Sequence, residues 1–140
     1  MEDTNTMYKY RKLQFDQDYP VLAEIFVNDY GWPNPPQPHD LAYDSFVVED
    51  DKGVMGALFL YTVSNSGACL ILFPILSKRC KQGRDEVVEK LWLRCEILAE
   101  YLGYSRAIVF ASAEHIKNRL VKRDYIIGDR NMDQMVKVLR

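Results

Sequence analysis

The 140-residue sequence has little cysteine, no excess of positive charge and no long apolar run. Its three cysteines, Cys69, Cys80 and Cys95, are an odd number without C-x-x-C spacing, which argues against a disulfide framework or a zinc site and predicts no bound metal. The longest apolar stretches, 54–63 and 68–76, the second broken by Pro74, fall far short of the roughly 20 residues of a membrane-spanning helix, so no membrane partner is expected. The opening Met1-Glu2-Asp3-Thr4-Asn5 is acidic and polar where an export leader is basic and then apolar. The expected location is therefore the cytoplasm, with residues 1–7 flexible. A net charge of −2 and a pI near 5.7 do not suit a long polyanion, so nucleic acid is not an expected partner.

What is present is an ordinary globular composition, 48% hydrophobic and 27% charged, which excludes disordered and collagen-like chains. The length suits one domain over 1–140 that buries about two-thirds of its unfolded surface in a single core. The small net charge hides an asymmetry: residues 1–50 carry 10 acids and 3 bases, residues 51–140 carry 10 acids and 15 bases. Two basic clusters stand out, Lys78, Arg79, Lys81 and Arg84, and Lys117, Arg119, Lys122 and Arg123. Each is either a solvated face or a phosphate contact.

Tyr8 to Leu13 alternates as a first strand. Asp18 reads as the N-cap of an amphipathic helix, with Pro20 in its first turn and Gly31 as its stop. Trp32 to Pro38 holds four prolines and cannot be helix or central strand. It is a stiff loop, a binding rim or a covering flap, followed by a helical turn at Asp40 to Asp44. Phe46 to Glu49, Val54 to Val63 and Ala68 to Leu76 form an antiparallel meander through turns at Asp50-Asp51-Lys52-Gly53 and Ser64-Asn65-Ser66-Gly67. Pro74 suggests a bulge in the third of these strands. From Asp85 a helical stripe, Val87, Val88, Leu91, Cys95, Leu98 and Leu102, runs to Gly103. A short strand at Arg106 to Ala111, a helix capped by Ser112 and a closing hairpin of Tyr125 to Ile127 with Met132 to Leu139 complete the reading. The strand–long helix–strand succession implies a right-handed parallel crossover. The expected class is α/β (α+β), a mixed, mostly antiparallel central sheet with helices on both faces.

Two segments, Leu72 to Leu91 (LFPILSKRCKQGRDEVVEKL) and Glu114 to Tyr125 (EHIKNRLVKRDY), together with this order of elements, resemble the GNAT superfamily of acyl-CoA N-acyltransferases over nearly the whole chain. The compact, divergent form is similar to phage-encoded members. The resemblance implies acetyl-CoA or a similar thioester as co-substrate, an amine acceptor entering beneath the Trp32 to Pro38 loop, and a homodimer as a candidate assembly. The acidic first third suits a cationic acceptor such as a polyamine, an aminoglycoside or a lysine side chain. The family's diphosphate loop, Arg/Gln-x-x-Gly-x-Gly/Ala, falls on Arg79, Cys80, Lys81, Gln82, Gly83 and Arg84, and only Arg79 matches. Gly83 permits a tight turn, while Arg84 either grips phosphate or fills its place; a guanidinium lying across the gap between the two parallel strands would exclude the cofactor.

With Ile75 and Leu76 at the strand's end, where a backbone donor would polarise a carbonyl, these residues form the expected cofactor-binding set. The family's proton-donating tyrosine falls on Leu120, and Asp124 replaces a glycine. The candidates left for catalysis are Glu49 as base and Tyr125 as acid. His39 and His115 are lone polar residues, and a Cys80 acyl-enzyme lacks a Cys-His-Asp spacing. Two functional readings follow: an N-acyltransferase, or a GNAT-like scaffold that has lost its cofactor and binds a partner instead.

Overall fold

Three runs rich in β-branched and aromatic residues and separated by polar turns build most of the sheet. The computed structural model describes residues 8–42, 44–63, 65–111, 114–128 and 137. In chain order its elements are β1 (Lys9–Lys12), α1 (Phe15–Asn28), a 3-10 turn (Pro38–Asp40), β2 (Ser45–Asp50), β3 (Gly53–Thr62), β4 (Ala68–Leu76), α2 (Arg84–Tyr101), β5 (Arg106–Ile108) and α3 (Glu114–Lys122). The five strands form one sheet in sequence order, antiparallel from β1 to β4, with β5 parallel to β4. The described residues fall into two compact units, one ending at Val109 and the other beginning at Phe110.

Within the first unit, side-chain alternation assigns the helices to opposite faces. Leu22, Ile25 and Phe26 of α1 pack with Val47, Ala57, Phe59 and Ile75. Leu58, between two of these, faces the other way, and there the Cys95 thiol of α2 donates to its carbonyl at 3.8 Å. Val87, Leu91, Trp92, Cys95 and Ala99 of α2 are buried.

α1 begins earlier than expected. Gln14 is its N-cap, and Asp18 lies inside the helix, buried. The carboxylate accepts both terminal nitrogens of Arg11 at 2.8 Å and reaches back to the Gln14 N–H at 2.8 Å. A strong ion pair with β1 thus uses the side chain that sequence reading assigned to capping. At the other end Gly31 is the helix stop: it adopts φ +69°, and its neighbour Trp32 donates from its backbone N–H to the Phe26 carbonyl at 3.1 Å. The rings of Phe26 and Trp32, 4.9 Å apart, supply the apolar contact that accompanies such a left-handed helix stop. The turn expected at Asp40 to Asp44 is a 3-10 turn at Pro38–Asp40, closed by Gln37 and Asp40 in a capping box.

β5 is shorter than the expected Arg106 to Ala111. In the second unit α3 ends at Lys122, and Asp124 takes φ +70°, the conformation a glycine would adopt there. Tyr125 to Ile127 is not a strand. Its N-terminal residue is instead drawn into the helix stop, donating from its N–H to the Leu120 carbonyl at 3.0 Å. Ser112 and all of Met132 to Leu139 except Lys137 lie outside the described residues.

Candidate active site

β5 pairs with β4 only through Ala68, Cys69 and Leu70, while β4 continues to Leu76. Among the described residues, 71–76 therefore border a gap with no strand partner on that edge. In the same stretch β4 is irregular on its other side. Phe59 pairs with Leu72 but Ala57 with Ile75, so three residues of β4 advance against two of β3. The extra residue lies at Phe73–Pro74, and Phe73 takes φ +58°, a left-handed conformation rare for a bulky side chain. Its ring is held in place by the aromatic rings of Phe26, Trp32, Phe59 and Tyr61, at centroid distances of 6.0–6.3 Å.

Beyond the bulge, the Ser77 N–H donates to the Met55 carbonyl of β3 at 2.7 Å. Antiparallel alternation then turns the N–H and C=O of the preceding Leu76 away from β3, toward the gap. Both are engaged by side chains. The Leu76 N–H donates to the Tyr30 hydroxyl at 2.8 Å, and that hydroxyl lies 3.3 Å from the Leu76 carbonyl oxygen. Arg84 Nη2 donates to the same carbonyl at 3.1 Å, and Arg84 Nη1 to the carbonyls of Ser77 and Cys80 at 2.8 and 2.9 Å. These acceptors all lie between residues 76 and 80, so the guanidinium covers the end of β4 rather than bridging to β5. Gly56 faces Leu76 across the ladder because nothing larger fits: a Cβ there would sit 2.7 Å from the Ile75 carbonyl oxygen.

The loop from Ser77 to Gly83 gathers the remaining expected binding residues. Arg79 turns toward the β2–β3 hairpin: Nη1 contacts both Asp50 carboxylate oxygens at 2.6 Å, and Nη2 donates to the Gly53 and Val54 carbonyls at 3.2 Å. That pairing holds the Asp50 carboxyl below the usual carboxylate range. The Lys78 N–H donates to the Asp29 carboxylate at 2.9 Å. The Cys80 side chain is buried, its thiol donating to the Gln82 carbonyl at 3.6 Å. Lys81 and Gln82 are exposed, and Gly83, at φ +67°, caps α2 with its carbonyl accepting the Val87 N–H at 2.9 Å. Ile75 is buried against α1.

Glu49 and Tyr125 lie in different units. Glu49 on β2 accepts from Arg11 Nε at 2.6 Å, completing a network in which one guanidinium serves Asp18 and Glu49 together. For Asp18 burial alone would raise the pKa, but the hydrogen bonds from Arg11 and Gln14 outweigh it and hold the carboxyl low. Tyr125 lies in the second unit, as does His115, which is exposed. Among the described residues no group of three or more His, Cys, Asp or Glu side chains could hold a metal ion.

Tyr30, Gly56, Asp29 and Asp50 were not among the expected site residues. The one signal for Tyr30 is its place immediately before the Gly31 stop. The partner that the bulge and gap give it, Leu76, lies 46 residues away in sequence.

No protein-family model matches the chain, and no curated protein matches its sequence. Solved structures do. An aminoglycoside acetyltransferase from an uncultured soil metagenomic sample superposes with a TM-score of 0.69 at 12% identity, covering 99% of this chain and 100% of that one. Glucosamine-6-phosphate N-acetyltransferase from Arabidopsis thaliana gives 0.66 at 13% identity, covering 93% and 99%. N-acetylglutamate synthase from Neisseria gonorrhoeae, solved with coenzyme A and N-acetyl-glutamate, gives 0.67 at 16% identity, covering 88% of this chain and 28% of that one. The mixed five-stranded sheet, the parting of β4 from β5 and these superpositions agree: the chain is a divergent example of the GNAT acetyltransferase fold.

Proposed function

We propose that the protein is an N-acyltransferase that takes an acyl group from acetyl-CoA or a similar thioester and gives it to an amine. The observation that carries this reading is the bulged end of β4, where one backbone amide, that of Leu76, is turned into a gap between parallel strands. Bound acyl-CoA supplies the activated acyl group. The chain supplies position and polarity. A backbone donor fixed by a packed bulge stabilises negative charge on a carbonyl oxygen without reorganising, and such donors carry much of acyl-transfer catalysis. Lys78 and Lys81, both exposed on the loop, and Arg84 give the diphosphate a cationic setting from side chains. The acidic pair Asp85 and Glu86 occupies the first turn of α2, so the helix N-terminus alone does not account for anion binding. Glu49, held by Arg11, and Tyr125 remain the candidates for proton transfer.

The acceptor is a cationic amine. The 10 acids against 3 bases in residues 1–50 support this, as does the aminoglycoside acetyltransferase among the neighbours. The Trp32 to Pro38 loop is its rim, anchored by the Tyr19 hydroxyl donating to the Pro36 carbonyl at 2.7 Å and by Trp32 against Phe26 and Phe73. Among the described residues no helix is long and apolar enough to cross a membrane.

Thermal unfolding with coenzyme A tests the nucleotide half. Ligand at about 100 times its dissociation constant adds about 2.7 kcal/mol. No shift at millimolar coenzyme A, with Tyr30 intact or replaced by phenylalanine, overturns the reading. Thiol release from acetyl-CoA with sisomicin, spermine or a lysine peptide then tests transfer. The engagement of Arg79 by Asp50, and of Leu76 by Tyr30 and Arg84, favours the second reading, a GNAT-fold scaffold that has lost its cofactor and binds a partner instead; a folded protein that neither binds coenzyme A nor releases thiol with any acceptor identifies it.

A further inference from the structure

The gap-facing groups of Leu76 are ligand groups that the chain fills itself. We propose that Tyr30 and Arg84 are site residues of a kind the sequence does not announce: in the free protein they hold the place of the thioester ligand on Leu76, and the ligand enters by displacing them. The inference rests on the proposed acyl-CoA reading.

Three observations carry it. The Tyr30 hydroxyl meets the Leu76 N–H at 2.8 Å and lies 3.3 Å from its carbonyl oxygen, so one phenol serves as acceptor and stands in donor position, as the thioester carbonyl and a neighbouring N–H of a bound ligand would together. Arg84 adds a charged donor to the same carbonyl and to two more. Both are attached to the site at one end only. Tyr30 is 42% exposed and Arg84 is exposed at the start of α2, so each can leave without opening the core. The consequence differs for the two. A displaced Tyr30 stays at the wall of the gap, because Gly31 and Trp32 fix its backbone. A displaced Arg84 keeps its charge on the loop it already contacts through the Ser77 and Cys80 carbonyls, beside Lys78 and Lys81, where the ligand's diphosphate is expected. Binding is therefore an exchange: the hydrogen bonds formed replace hydrogen bonds already made, which lowers affinity and favours ligands that offer both an amide and an anion. A neutral thioester without a diphosphate cannot repay the loss of Arg84.

The test measures the amide of Leu76 and the affinity for coenzyme A in the full chain. Tyr30→Phe keeps the ring and removes the hydroxyl. Hydrogen exchange at the Leu76 amide is expected to speed up in the ligand-free variant, and coenzyme A is expected to bind about fivefold tighter, the worth of one net hydrogen bond no longer in competition. Far-UV circular dichroism checks that the variant folds, and Arg84→Met provides the second arm: it is expected to weaken coenzyme A while leaving acetyl-pantetheine, which has no diphosphate, tighter or unchanged. If wild-type protein binds coenzyme A but Tyr30→Phe exchanges and binds as wild type does, the placeholder is overturned and the acyl-CoA reading stands. If Tyr30→Phe binds more weakly, Tyr30 is a direct ligand contact and displacement is overturned. Binding by Tyr30→Phe alone supports the placeholder while showing that the wild-type site is shut to free coenzyme A. Binding by neither overturns the placeholder and the acyl-CoA reading together.

Discussion

Gly56→Ala makes the geometry of the bulge measurable. Gly56 has an ordinary backbone conformation, and alanine at such a position normally stabilises by about 0.4–1 kcal/mol by restricting the unfolded chain. Here the new methyl would stand 2.7 Å from the Ile75 carbonyl oxygen, 2.9 Å from Leu76 Cδ1 and 3.2 Å from Val48 Cγ1. The first of these is backbone. Reaching an ordinary 3.4 Å contact requires the strand to retreat by about 0.7 Å in a sheet whose neighbours are buried. Overpacking of this kind costs about 1–3 kcal/mol. The net expectation is a loss of about 1–2 kcal/mol, which for 140 residues lowers Tm by about 3–7 °C. Because the displaced segment is the one that presents Leu76, affinity for coenzyme A should fall as well. Calorimetry and a coenzyme A titration on the same preparation read both quantities. A variant as stable as the wild type or more so, with unchanged affinity, refutes the reasoning, because the clash is what reverses the usual sign.

Two further outcomes follow from buried charge and buried sulfur. Asp18→Asn removes one partner of a carboxylate that is 2% exposed and leaves Arg11 with Glu49 alone, a loss of about 3 kcal/mol in urea unfolding at pH 7. Since the folded pKa of Asp18 is depressed, its contribution is complete above the ordinary aspartate value near 4 and fades as pH falls below it, so the gap between variant and wild type should narrow at pH 3; a gap of equal size at both pH values contradicts the assignment. Burial pushes the Cys95 thiol up to about 12 and raises that of Cys69, while Cys80 is enclosed by its own loop. None of the three should react with Ellman's reagent at pH 8 until the protein is unfolded, and one rapid thiol in the native protein would refute this.

The parts of the fold legible in sequence were those set by local periodicity. β4 spans Ala68 to Leu76 as read, because its apolar run is bounded by a glycine turn and a serine–lysine loop. α2 differs from its expected bounds by one residue at each end, because its buried stripe is long. The parallel β4–β5 pairing followed from the succession of strand, long helix and strand. What escaped depends on partners distant in sequence. Asp18 has the chemistry of a cap, and only the approach of Arg11 on β1 shows that it is needed elsewhere. Arg79, the sole match to the family's loop pattern, is oriented by Asp50, 29 residues away. Tyr30 is an unremarkable helix-end residue until β4 bulges. Asp124, a departure from the pattern, keeps the backbone conformation that the glycine served.

Pro74 also bears on how the chain avoids a wrong answer while folding. Continued without the bulge, the pairing of Leu72 with Phe59 would set Pro74 opposite Ala57, at a site where the ladder calls for an N–H to be donated toward β3. Proline has none. The same slip would turn Ile75 from the α1 face to the α2 face. The flat hairpin is thus disfavoured twice, by a missing hydrogen bond and by an inverted side chain, and the competing register is penalised within the β3–β4 pair itself.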